Sequence, residues 1–412
     1  MKRIWAIVLL IFLLLSCERS QDINDNILKF YGDALEDIGY SVARVENGYV
    51  IAGLVTEVSR NGNSIVEKSS SQKMGIIKTG LDGNVIWKNS FGGRLTAAGS
   101  RVLTLDDGSI VCTGYVIDSL KPEKDIYIVK TDASGTGTIE KIIKSDGNQY
   151  GIDIVKLSDG FLILGSTDVA REPVTESTGN TAGKKDILIQ RLDNSLEPIF
   201  TPEVIGFPGN DEGIAIKPDI NGGYIVVGTT DRSDQPPADQ GGNNIILLKI
   251  NADGSTTDPR ILGGVDDEYA ADIEVLSDGY LIAGTIGNES PDQRGCVWRL
   301  SDDIYAAPVL FNKLEVGTTT TASGPFSIKA ICSYKTSSIV MAGQWGTGTS
   351  AKMLIFVTDN DGYQVVGKEL ITGGTGLQVA NDVISDSDGN IIAVGKNSYE
   401  KNSMISLFKF RF

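Results

Sequence analysis

A polar turn, a short β-branched run and a closing glycine recur seven times along the chain. The copies are "NGYVIAG" (47–53), "DGSIVCTG" (107–114), "DGFLILG" (159–165), "GGYIVVG" (222–228), "DGYLIAG" (278–284), "SSIVMAG" (337–343) and "DGNIIAVG" (388–395). Their closing glycines, Gly53, Gly114, Gly165, Gly228, Gly284, Gly343 and Gly395, lie 51–63 residues apart. That period is close to the length of a propeller blade and too long for a leucine-rich repeat.

Each copy brings further strand-like pieces. A first strand precedes the turn, as in "ADIEVL" (271–276), and the phrase itself is the second. The third reads like "KDIYIVKTD" (124–132) or "NNIILLKIN" (243–251), and the fourth like "NVIWKNSFGG" (84–93). These alternating runs are half-buried strands, and no long helical periodicity appears beyond the first residues, so the body is all-β. Six residues before each turn stands a branched apolar residue: Val42, Val102, Ile154, Ile216, Ile273, Ile331 or Val383. One register is therefore held against a core in all seven copies. A four-stranded unit of this size cannot bury both faces alone, whereas seven packed radially can.

The repeat resembles the Gly-rich four-stranded units, "D-G-G-Y-I-V-x-G … D-x-x-I-x-K-x-D-x-x-G … G-G", of secreted and lipoprotein β-propellers common in Bacteroidota. The resemblance implies a seven-bladed β-propeller of antiparallel blades over residues 26–412. The expected blades are 34–93, 94–147, 148–209, 210–264, 265–317, 318–374, and 375–412 completed by 26–33. The seventh repeat ends after its third strand, "SMISLFKFRF" (403–412). "NILKFYGD" (26–33) matches the fourth-strand pattern, with Tyr31-Gly32 in the place of Phe91-Gly92. The N-terminal strand should therefore pair with the C-terminal one and close the ring, leaving no severed edge.

The first residues read as a leader. Lys2 and Arg3 precede an apolar run, Ile4 to Leu15, that is too short to span a bilayer. The run ends in "LLLSC" (13–17), which resembles the lipobox of bacterial lipoproteins. This implies a signal peptide over 1–16, acylation of Cys17, a polar tether over 17–25 and attachment to a membrane by lipid. Glu18, rather than Asp, after the cysteine resembles outer-membrane lipoproteins, facing either the periplasm or the cell surface.

Composition removes several functions. The formal net charge of −16, deepened by two when Lys2 and Arg3 leave with the leader, argues against nucleic-acid binding. The chain has no histidine, which excludes Ser-His-Asp and Cys-His nucleophile systems and histidine-ligated metals. Beyond Cys17, the three remaining cysteines, Cys112, Cys296 and Cys332, sit in apolar strands and read as small buried hydrophobes.

Alternating strand direction divides the connections between two rims. One rim consists of tight Asp-Gly turns such as "LDG" (81–83) and "DNDG" (359–362). The other carries the insertions at 56–72, 168–184 and 231–242, with shorter ones near 286–294 and 344–351, and is the expected recognition face. Its candidate contacts are Arg60, Arg171, Arg232, Arg294, Trp345 and Tyr399. Trp345, among glycines, suits stacking on a sugar, anchoring a partner, or packing over a blade edge. "TDNDGYQ" (358–364) and "DSDGN" (386–390) resemble fragments of calcium loops but lack the spacing of an EF-hand and fall where hairpin turns are required; otherwise no cofactor is expected.

A last column, one residue before the apolar register, reads Ser41, Arg101, Asp153, Ala215, Asp272, Ala330 and Asp382. If the first strand is innermost, Arg101 and the three aspartates line the central channel. They would hold a cation, act as an acid/base set, or simply keep the channel polar. The overall reading is a non-enzymatic binding or scaffold module for an envelope protein or an extracellular glycan. The alternative is a carbohydrate-active enzyme using the channel carboxylates.

Overall fold

The protein is a seven-bladed β-propeller. The computed structural model describes residues 26–32, 35–61, 64–169, 185–207, 209–231, 242–252, 254–287, 293–316, 324–399 and 402–412. These form seven four-stranded antiparallel sheets, and the only helical turn among them is the three-residue Gly348–Ser350. Six sheets take their strands in chain order. In blade one these are Ile38–Val45, Gly48–Asn61, Ser64–Gly80 and Val85–Phe91, from the channel outward.

Blade seven is assembled from both ends of the chain. Its order is Gln378–Ser385, Ile391–Tyr399, Asn402–Phe410 and then Ile27–Tyr31 on the outside. The closing register runs from Ile27 opposite Lys409 to Tyr31 opposite Ile405. Tyr31 is buried, and its hydroxyl donates to the Gly83 carbonyl of blade one at 2.7 Å. The following segment adds a parallel bridge between Glu36 and Ser403. The closing strand is thus tied to its own blade and to the next one.

The apolar cores lie between blades. Tyr49, Ile51 and Ile77 of blade one pack with Ile392, Val394 and Leu407 of blade seven. On its other face, blade one gives Val50, Met74 and Ile76 to a cluster with Val102, Ile110 and Tyr127 of blade two. Each blade therefore buries its two faces only through its neighbours, which is why the repeat must close into a ring.

All seven inner strands carry a β-bulge at one equivalent place. The ladder slips between Gly39 and Ser41, Gly99 and Arg101, Gly151 and Asp153, Gly213 and Ala215, Ala270 and Asp272, Ile328 and Ala330, and Ala380 and Asp382. Opposite each slip sits the closing glycine of the repeat. A Cβ on Gly53, Gly114, Gly343 or Gly395 would lie 1.9–2.0 Å from an inner-strand carbonyl oxygen. The closing glycine is therefore a close-approach requirement set by the bulge.

The first insertion differs from expectation. The expected loop over 56–72 is instead laddered: the second and third strands of blade one continue through 56–61 and 64–72 as a paired ribbon. Thr56 pairs with Gln72, and Asn61 pairs with Ser64.

Candidate functional site

The channel column resolves into a hydrogen-bonded ring. Just after each bulge, the N–H of the apolar register residue cannot join the ladder and needs another acceptor. Asp153 accepts from its neighbour Ile154 through Oδ1 at 2.8 Å and from Ile216 of the next blade through Oδ2 at 3.0 Å. Asp272 does the same for Ile273 at 2.8 Å and Ile331 at 3.0 Å. Asp382 serves Val383 and, across the closure, Val42, both at 2.9 Å. The seventh N–H, that of Val102, donates to Ser41 Oγ at 3.2 Å. Three aspartates with two oxygens each, plus one hydroxyl, satisfy all seven positions.

This explains the sequence of the column. Blades four and six carry Ala215 and Ala330 because the aspartate before each already reaches across and the aspartate after each serves itself. Blade two carries Arg101, which joins the ends of the pattern. Its guanidinium lies 3.3 Å from Asp153 and 3.2 Å from Asp382. The nearby Asp382 first, then Asp153 and Asp272, hold the Arg101 guanidinium above its ordinary value against the opposing effect of burial. Lys217 faces Asp272 at 3.7 Å. Burial alone would push its ammonium down, but Asp272, with Asp153 and Glu274, outweighs burial and Lys217 titrates above its usual value.

Arg101, Asp153 and Asp272 line the channel cavity, and Asp382 joins them through Arg101. Each oxygen of the three aspartates accepts one backbone N–H, so the carboxylates act as clasps between neighbouring blades. Among the described residues there is no cluster of three or more metal-ligating side chains. The acidic turns have the same explanation. Asp359 Oδ1 accepts from Asp361 and Tyr363 at 3.0 and 2.8 Å, and Asp386 Oδ1 from Asp388 and Asn390 at 3.0 and 2.9 Å. Both are aspartate-stabilised hairpin turns, repeated at Asp132 and Asp193.

A second polar column escaped the sequence reading. Three residues before the bulged residue stand Asp37, Gln149, Asp211, Glu268 and Gln378, all buried. Asp37, Asp211, Glu268 and Gln378 each lie against a glycine, Gly32, Gly206, Gly263 and Gly373, at the end of the preceding outer strand. Phe207 N–H donates to Asp211 Oδ2 at 2.6 Å and Gly264 N–H to Glu268 Oε2 at 3.1 Å. A Cβ on Gly32 or Gly373 would fall 2.2–2.3 Å from Asp37 Oδ2 or Gln378 Oε1. The signal was present at Asp37, Asp211, Glu268 and Gln378 as an acidic or amide residue five positions after a glycine at the end of the fourth strand. Burial pushes Asp211 up to about 6 and Glu268 up to about 7.

Of the recognition-face candidates, Trp345 is half-buried at the end of a strand, opposite Phe326 in the ladder, and packs against the core between blades five and six. Its ring closes over Gly324, whose Cβ would lie 2.9 Å from it. Arg294 is half-buried and donates to the Gln293 carbonyl at 2.9 Å. Arg171 and Arg232 lie outside the described residues, as does Cys17. Arg60 and Tyr399 are placed as strand backbone, and their side chains lie outside the described set. The free thiols of Cys112 and Cys296 are buried, and that of Cys332 is partly so; burial raises all three.

The channel opens toward the insertion rim into a cavity of about 250 Å³. The bulged residues Tyr40, Ser100, Ile152, Ile214, Ala271, Lys329 and Asn381 ring it. Asn381 donates to the Gly39 carbonyl at 2.8 Å, tying blade seven to blade one.

The ring of seven four-stranded blades defines the class, and solved structures share it. Puromycin hydrolase matches with a TM-score of 0.54 at 12% identity over 88% of this chain, which spans half of that protein's length. Kuenenia stuttgartiensis hydrazine synthase matches with a TM-score of 0.53 at 11% identity, over 91% of this chain and 96% of that one. At these identities the likeness concerns the fold alone. No protein-family model and no curated protein matches the chain.

Proposed function

We propose that this protein is a lipid-tethered, non-enzymatic binding module that presents its insertion rim to an envelope protein. The supporting observation is the asymmetry between the rims. The turn rim is built from short aspartate-capped hairpins, while the long connections 168–185, 231–243 and 287–293 all leave the opposite rim, where the channel mouth opens. The three channel carboxylates have a structural use as clasps between blades, which supports the binding reading. Membrane attachment rests on the lipobox resemblance of residues 13–17, with Cys17 nine residues before the closing strand's Asn26. An outer-membrane location follows from the lipobox resemblance and Glu18.

The test is crosslinking and capture from intact membranes, comparing the full chain with a variant in which 170–184 and 232–241 are replaced by short Gly-Ser links. The expected result is one envelope protein recovered with the parent and lost with the variant. Recovery unaffected by the replacement, binding to purified glycans in place of a protein, or glycan hydrolysis would each overturn the proposal. A C17S variant released from the membrane fraction is the expected result for the tether; retention of C17S there would overturn it.

A further inference from the structure

Blades one to six each carry a turn between their third and fourth strands, and five of these turns butt against the preceding blade. A Cβ on Gly83 would lie 2.9 Å from Lys29 of blade seven, one on Gly135 2.8 Å from Asn89 of blade one, and one on Gly362 2.4 Å from Val297 of blade five. Leu196 and Ile304 fill the corresponding place with buried side chains, clustered with Val111 of blade two and Ile225 of blade four. Blade four is the exception: a Cβ on Gly254 would meet no described atom within 4 Å. The groove between blades three and four therefore stays open on the turn rim, with a volume of about 370 Å³.

The lining of this groove is mixed. Leu162, Ile189 and Ile250 form its buried apolar side. Phe200, 65% exposed, stands on a fixed backbone: its carbonyl accepts from Gln190 Nε2 at 3.0 Å, and the neighbouring Ile199 N–H donates to the Arg191 carbonyl at 3.1 Å. Tyr224 also lines the groove, anchored by its hydroxyl, which donates to the Lys156 carbonyl at 3.3 Å. The charged lining residues are Asp159, Arg191 and Glu203. Arg191 Nη2 donates to both oxygens of Asp159, at 3.1 and 2.8 Å, which leaves the lining with one negative charge in excess.

We propose that the groove between blades three and four binds a neutral saccharide of one or two rings. A sugar ring has an apolar C–H face and a belt of hydroxyls. Phe200 and Tyr224 offer aromatic surface to the first. For the second, Glu203 and Asp159 offer acceptors, Arg191 offers donors, and the Asn251 amide offers both. The excess negative charge, on a protein of net charge −16, turns away sugar acids. The volume lies at the small end of the range for ligand pockets, which limits the length of the saccharide. This site lies on the rim opposite the insertions and does not depend on the partner proposed there, so it is tested on the purified protein alone.

The experiment is isothermal titration of the full-length protein, in a detergent without a sugar headgroup, with maltose, lactose and cellobiose, and with sodium glucuronate as the charged counterpart. Saturable 1:1 binding of at least one disaccharide and none of glucuronate is expected. F200A should weaken that disaccharide by about three- to tenfold, the scale of covering roughly half of a phenylalanine side chain. Replacing 170–184 and 232–241 on the other rim by Gly-Ser links should leave its affinity unchanged. Unchanged thermal melts establish that both variants are folded. Saturation with none of the disaccharides, preferential binding of glucuronate, undiminished affinity in folded F200A, or loss of binding in the folded loop variant would overturn the proposal.

Discussion

Removing one clasp should cost more than any other single channel substitution. Asp272→Ala takes the acceptor from two buried N–H groups at once, those of Ile273 and Ile331, which are 0% and 2% exposed. Blade four offers Ala215 at the equivalent place, so no neighbouring side chain can substitute. Each orphaned buried donor costs about 1–3 kcal/mol, giving about 2–6 kcal/mol for the pair. Lys217 also loses the partner at 3.7 Å that offsets its own burial. An unfolding entropy of about 2 cal/mol/K per residue, over roughly 390 residues, converts this into a fall in Tm of about 3–8 °C.

Two companion variants turn that magnitude into an ordering. Asp272→Asn keeps one carbonyl acceptor and should fall between the parent and Asp272→Ala. Ser41→Ala removes a single neutral acceptor, that of Val102, and should cost about 1 kcal/mol. Differential scanning fluorimetry at pH 7 reads all three. The clasp reasoning is refuted if Asp272→Ala melts within 1 °C of the parent, or if Ser41→Ala is as damaging as Asp272→Ala.

Three other outcomes follow from the same structure. In the folded state Asp211 and Glu268 keep their protons up to about pH 6 and 7, whereas unfolded they lose them near 3.8 and 4.5, so the folded state binds more protons between these limits. Their contribution is therefore greatest at or below about pH 4 and is lost as pH rises to about 7, by roughly 3 kcal/mol apiece; Asp211→Asn and Glu268→Gln should flatten the slope of Tm between pH 5 and 7.5, and an unchanged slope counts against their burial. Deleting residues 26–33 removes a five-residue ladder and the Tyr31 bond to blade one, an expected loss of about 4–6 kcal/mol; an unaltered melt would mean that the ring does not depend on this closure. Lys329→Met should leave Tm unchanged at pH 7, because the side chain is exposed and makes no hydrogen bond or ion pair with a described residue, and a clear fall in Tm would show that Lys329 has a stabilising partner.

The sequence and the structure agree wherever a feature is repeated seven times, and they part where it is not. The branched apolar register and the closing glycines recur because every blade meets the same neighbour surface, so Val42 or Ile273 could be placed without a structure. The N-terminal strand could be placed for the same reason: blade seven lacked one piece, and Tyr31-Gly32 supplied its pattern. The aspartates stood in view as a column, but their role depends on the bulge, which turns one N–H per blade out of the ladder. A bulge leaves no residue signature beyond the glycine opposite it. The alternation Asp153, Ala215, Asp272, Ala330, Asp382 carried the missing information, since a residue needed in every second blade must reach across to the next. The bulged positions themselves, from Tyr40 through Lys329 to Asn381, share no chemistry at all. The scaffold leaves these positions unconstrained, and for that reason the repeat that discloses the fold does not predict which residue stands at each.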